Sequence, residues 1–185
     1  MKKLRISPAL SPADSMLHAG CQAPDEPPED GGIRDRSDSS AAKMIQSDEI
    51  TDFSWTISAA ALAEQTPLGD RIYRLRAWRD GAQVLGSYEA RNDAAEQESW
   101  EFTATEDFLM QLNSLIKRHD LARFNGTAVT VEGLPPGYGT ELTVLYASGE
   151  TIYVRHNQEG ILDLDAAIAA EALFRSRRPA ETLPL

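Results

Sequence analysis

The sequence holds a single cysteine and three histidines in 185 residues. One thiol closes no internal disulfide and builds no multi-cysteine zinc site. No stretch approaches the ~18 uncharged apolar residues of a membrane-spanning helix, which excludes such a span. Positive charge is scarce as well: Lys and Arg number 18 against 29 Asp and Glu, for a formal net charge of -11. Phosphate binding relies on Lys and Arg, so nucleic acid is not the expected main partner. What is present, 42% hydrophobic and 25% charged residues, fits one soluble domain with some tail.

Chemistry-bearing motifs are also missing. There is no Gly-x-Ser-x-Gly elbow, no Gly-rich phosphate loop followed by Lys-Ser or Lys-Thr, and no Asp-x-Asp-x-Asp-Gly calcium loop. His18, His119 and His156 share no helix-face or hairpin spacing, so they read as surface residues. No catalytic residue, metal ligand or cofactor is therefore expected.

Residues 1–49 read as a tail. A basic start, Lys2, Lys3 and Arg5, leads to Ala19-Gly20-Cys21. Then comes an acidic, Pro- and Gly-rich stretch from Gln22 to Gly32, and Arg34 to Ser40 alternates charge with Ser. Such segments have little to bury and are expected to stay disordered. The order of these pieces resembles a bacterial lipoprotein signal, with Ala19-Gly20-Cys21 as the end of its lipobox. Two departures stand out. His18 occupies a position where the family has an apolar residue. Pro8, Ser11, Pro12, Asp14 and Ser15 also interrupt the ~7–15 apolar residues a signal core needs. The resemblance implies lipidation of Cys21, anchored at ~0.8 kcal/mol per buried CH₂. The competing reading is a plain tail with one incidental thiol.

From Ile50 to Arg175 the texture is that of one α+β domain, with 176–185 as a flexible tail. Phe53, Trp55 and Ile57 alternate on one face of a strand. Ala59 to Glu64 suggests a short helical turn. Arg71–Arg79 and Ala82–Ala90 form a hairpin about Asp80-Gly81, read as a type I′ turn. Glu98–Phe102 is a further strand. Thr103 and Glu106 have capping-box spacing, which places a helix start at Thr103. Phe108, Leu109, Leu112, Leu115 and Ile116 give that helix one apolar face. Thr127–Glu132 is a short strand. Thr140–Tyr146 and Glu150–Arg155 form a second hairpin about Ser148-Gly149. Asp163–Phe174 is a helix capped by Asp163, with Leu164, Ile168, Ala172 and Leu173 on its buried side. The expected fold is a mainly antiparallel sheet of two hairpins and flanking strands. One helix packs on a face, and a second lies at the C-terminus. Phe124-Asn125-Gly126 and the Leu142–Ile152 hairpin resemble a group of uncharacterised bacterial domains often carried on lipoproteins. The resemblance covers about Asp70 to Leu164 and brings no catalytic residues with it.

Arg74, Arg76 and Trp78 share one strand face, flanked by Arg71 and Arg79. This local positive stripe suits an anionic partner, with Arg stacked on Trp. The alternative is that these arginines pair with Glu89, Glu98 and Glu101 on neighbouring strands. Tyr138 stands in the Pro/Gly loop as a further contact residue. The expectation is a non-enzymatic, envelope-associated binding domain for an unknown protein or small anionic ligand. It touches membrane only through a lipid on Cys21, and is cytoplasmic if the signal does not work. The alternative is a soluble cytoplasmic enzyme or accessory subunit.

Overall fold

The computed structural model describes residues 32–59, 66–92, 96–134 and 137–180. Among them the strands are β1 (Ile33–Asp35), β2 (Ile50–Ser58), β3 (Ile72–Asp80), β4 (Gln83–Arg91), β5 (Gln97–Ala104), β6 (Ala128–Val131), β7 (Thr140–Tyr146) and β8 (Thr151–His156). The helices are α1 (Asp107–Arg118) and α2 (Leu164–Arg175). All eight strands join one open sheet in the order β1-β6-β8-β7-β2-β3-β4-β5. Neighbours run antiparallel except β6 and β8, which are parallel.

The period of two in the sequence sets the two faces. Phe53, Trp55, Ile57, Tyr73, Leu75, Val84, Tyr88, Leu142, Val144, Ile152 and Val154 point to one side and are buried. Both helices cover that side. Phe174 of α2 meets Phe53 of the sheet, Phe102 of β5 and Phe108 of α1, with ring centroids 6.0, 5.8 and 5.1 Å away. Gly86 makes room for this cluster. A methyl group there would lie 2.2 Å from the Phe102 ring.

Several local expectations are corrected. Thr103 does not cap a helix: it pairs with Leu85 in β5, and α1 begins at Asp107 with no side-chain cap bond. Extending the sheet satisfies the Thr103 backbone, and the Glu106 carboxylate goes to Arg79 instead. The first hairpin closes with Asp80 opposite Gln83, around Gly81 and Ala82. Gly81 is left-handed (φ +61) and Ala82 is not, which is the pattern of a type II′ turn. In α2 the buried residues are Ala166, Ala167, Ala170 and Phe174, while Leu164 is exposed. The small alanine face lets the helix lie close to the sheet. Asp163 caps it as expected, accepting from the Ala166 N–H at 2.9 Å. The helical turn expected at Ala59–Glu64 lies mostly outside the described residues.

Both ends of the domain extend past the expected boundaries of 50 and 175. β1 pairs with β6. The Arg36 N–H then donates to Ala128 O and the Asp38 N–H to Gly126 O. The strap that follows crosses the Asn125-Gly126 turn and packs Ile45 against the core. Its polar residues therefore fold because partners in β6, β8 and this turn take up their backbone groups, not because they are apolar. The Glu150 carboxylate accepts from the Gln46 and Ser47 N–H groups at 2.8 and 2.9 Å. Those bonds and Ser148 hold it below the usual carboxylate range. At the other end Arg178 donates to Glu98 at 2.6 Å and lies over Trp100, so the chain just past α2 is docked as far as Arg178. Inside this corner the Tyr88 hydroxyl donates to Glu171 at 2.9 Å and accepts from Arg175 at 2.8 Å. Burial, then Glu171, pushes the phenol well above its usual range. Cys21 lies outside the described residues.

Candidate functional site

Among the described residues, no helix crosses the second face of the sheet. Its residues follow from the register. Asp52, Ser54 and Thr56 come from β2, and Arg74, Arg76 and Trp78 from β3. Leu85, Ser87 and Glu89 come from β4. Glu141, Thr143 and Leu145 come from β7, and Tyr153 and Arg155 from β8. Arg34 and Arg36 of the first segment face the same way, since both line one surface groove with Ala128, Thr130, Tyr153 and Arg155. An acidic chain thus gathers arginines on its open side.

The expected stripe forms in part. The Arg76 guanidinium stacks over the Trp78 ring, 4.7 Å from its centroid. Arg74 and Arg76 remain about half exposed, with side-chain exposures of 49% and 55%. Arg71 and Arg79 do not join them. Both lie on the helix side, Arg71 with Glu98 at 3.4 Å and Arg79 with Glu49 and Glu106. The strand's alternation decides this, because positions 71 and 79 have the parity of the buried Tyr73 and Ala77. The carboxylates that meet the stripe are Glu89, 3.1 Å from Arg74, and Asp52, 3.3 Å from Arg76. Glu98 belongs to the other face, and Glu101 makes no ion pair among the described residues. Exposed pairs of this kind contribute about 0.2–1 kcal/mol each. A carboxylate or phosphate on a partner can therefore replace them at small cost.

Tyr138 is brought to Arg74 but not to Arg76 or Trp78. A cavity of about 390 Å³ opens at one end of the face, lined by Thr56, Arg74, Tyr138, Glu141 and Arg155 among others. The loop closes over this end. A methyl group on Gly137 (φ +82) would stand 3.0 Å from the Arg91 guanidinium and 3.8 Å from that of Arg74. Arg155 has only a long contact to Glu141, 3.9 Å, and is 56% exposed. Neither Arg155 nor Arg36 was singled out from sequence. Arg155 carries the same signal as Arg74: Tyr153 and Arg155 alternate with the buried Ile152 and Val154. Arg36 carries none, because the segment just past β1 that holds it is placed only by its bond to Ala128 of β6.

His119 and His156 have separate partners, and His18 lies outside the described residues. The His119 ring nitrogen stands 3.5 Å from Asp163, and His156 accepts from the Glu159 N–H at 3.1 Å. Among the described residues, no three His, Cys, Asp or Glu side chains gather as metal ligands, and no helix is long and apolar enough to cross a membrane. In comparisons with known proteins, no family model, no curated protein and no solved structure matches the chain.

Proposed function

We propose that this chain is a non-enzymatic binding domain that holds an anionic partner against the uncovered face of its sheet. The observation that carries this reading is the Arg74, Arg76 and Trp78 stripe: two half-exposed guanidiniums, one stacked on an indole, on a face that no helix covers among the described residues. Stacking restricts the Arg76 side chain and leaves its outward N–H groups available to a carboxylate or phosphate. Leu145 and Tyr153, 41% and 40% exposed on the same face, add apolar contact area. A partner protein with an acidic surface fits this mixture of charge and apolar patches.

The test is charge reversal. Arg74→Glu with Arg76→Glu should abolish capture of the partner in a pull-down from the source cells. Stability should change by less than about 1 kcal/mol, because both side chains are exposed. Undiminished capture by the folded double variant removes this face from the function.

Envelope anchoring through Cys21 belongs to the same proposal and rests on the Ala19-Gly20-Cys21 pattern. Ten residues lie between Cys21 and Gly32, the first described residue, a reach of at most roughly 40 Å. A lipid there keeps the domain close to the bilayer rather than on a long leash. Metabolic labelling with palmitate should mark the unmodified chain and not Cys21→Ala. An unlabelled parent chain removes the anchor and leaves the binding face untouched.

A further inference from the structure

The register places two arginines of different strands, and Arg36 just past β1, in one line. Thr56 stands opposite both Arg74 and Glu141, and Glu141 opposite Arg155. Arg155 stands opposite Ala128, whose carbonyl accepts from the Arg36 N–H at 2.8 Å. Read across the sheet, the row is Arg36, Ala128, Arg155, Glu141, Thr56, Arg74. With strands ~4.8 Å apart, Arg36 lies roughly 10 Å from Arg155, and Arg155 roughly 14 Å from Arg74. The groove over β1, β6 and β8, about 520 Å³, and the cavity beside Tyr138 share Arg155 and Asn157. They adjoin at these two residues, as two halves of a trough along the row.

We propose that this trough binds an extended acidic peptide segment lying across the strands. The inference rests on the anionic-partner reading and names its class and direction. Arg36 is exposed and has no ion pair among the described residues. Arg155 has its single long contact, and Arg74 a replaceable one. Tyr153 and Tyr138 line the two halves of the trough. A guanidinium matches a carboxylate through paired N–H donors. The row spans roughly 24 Å, which an extended chain covers in about eight residues.

Glu141 selects a peptide over a uniform polyanion. It interrupts the row between Arg155 and Arg74, and Asp52 and Glu89 stand nearby on the same face. Polyphosphate, a sulfated polysaccharide or nucleic acid would lay a negative charge over each of these carboxylates. A peptide places its acids over the arginines and a serine or lysine over Glu141.

The experiment uses the full chain and two labelled peptides of about eight residues, identical in composition: three Glu, one Lys and the rest Ser. In one, the acids are spread at both ends and near the middle; in the other they are consecutive. Fluorescence anisotropy is read at about 0.1 M salt, where the ~10 Å screening length lets the local face outweigh the net negative charge. The spread peptide should bind about tenfold tighter than the clustered one. Arg36→Glu with Arg155→Glu should weaken it by about tenfold or more. Arg118→Glu, on the exposed side of α1, should not. The milder pair Arg36→Gln with Arg155→Gln should show the same order if the reversal disturbs folding. Equal binding of the two peptides, or indifference to Arg36 and Arg155, overturns the row. In that case sensitivity to Arg74→Glu with Arg76→Glu decides separately whether the broader reading stands. Tight binding of polyphosphate or heparin without the spread peptide overturns the peptide as occupant.

Discussion

Phe174→Ala is expected to cost ~3–5 kcal/mol, the range for removing a fully buried aromatic ring. Phe174 has no solvent exposure and touches three other rings, one from each of β2, β5 and α1. Its removal leaves a hole that no single neighbour can fill, because the surrounding rings are held by different elements. For a domain of this size the midpoint of thermal unfolding should fall by roughly 6–20 °C. Phe174→Leu, which keeps much of the volume, should lose far less. The measurement is urea unfolding followed by circular dichroism. A loss below about 1 kcal/mol would mean that α2 is an appendage rather than half of the helical layer.

The second large effect is expected at the Asn125-Gly126 turn, which clasps the segment after β1. Asn125 is buried, with 5% exposure. Its side-chain amide donates to Ala42 O and Thr151 O, both at 2.9 Å, and its oxygen accepts from the Tyr153 N–H at 2.8 Å. Lys43 reaches its backbone carbonyl. One side chain thus ties the strap to β8. Asn125→Ala removes all three side-chain bonds and leaves polar backbone groups without partners, at ~1–3 kcal/mol for each that stays dry. Gly126 compounds the constraint. It is left-handed (φ +80), and a methyl group on it would sit 2.3 Å from Asp38 O. Either Asn125→Ala or Gly126→Ala should destabilise the domain by on the order of 3 kcal/mol. Amide exchange should rise first at residues 36–47. Exchange that rises evenly over the whole sheet would show that the turn is not a local clasp.

Much of the sheet was readable in the sequence because alternation is enforced by burial. Phe53, Trp55 and Ile57, or Tyr73, Leu75 and Ala77, have one apolar side and one polar side, and the core takes the apolar side. The Phe108 helix is readable for the same reason at a different period. The errors fall where a long-range partner overrides a local signal. Thr103 and Glu106 satisfy a capping rule, but pairing of Thr103 with Leu85 extends β5 past it. Leu164 looks like a core residue by composition, yet close approach to the sheet favours the alanines on the opposite side of α2. Arg34 to Ser40 has nothing to bury and is ordered by backbone bonds to β6 and the Asn125-Gly126 turn, far along the chain. The candidate site divides likewise. Arg74, Arg76 and Trp78 share one strand and are visible together. Arg36 and Arg155 reach the same face only once the strand order is known.

That strand order also sets the sequence of events during synthesis. β2 to β5 form a meander whose strands pair in chain order, so they find each other as they emerge. The other side of β2 belongs to β7, which is made roughly 2–8 s later at ~5–20 residues per second. Until then the Phe53, Trp55 and Ile57 strand has one bare flank, and the nascent chain offers an unfinished edge to any extended neighbour. Crowded polysomes and chaperone-poor expression hosts meet the protein in that half-built state, and losses in yield should trace to this interval and not to the finished fold.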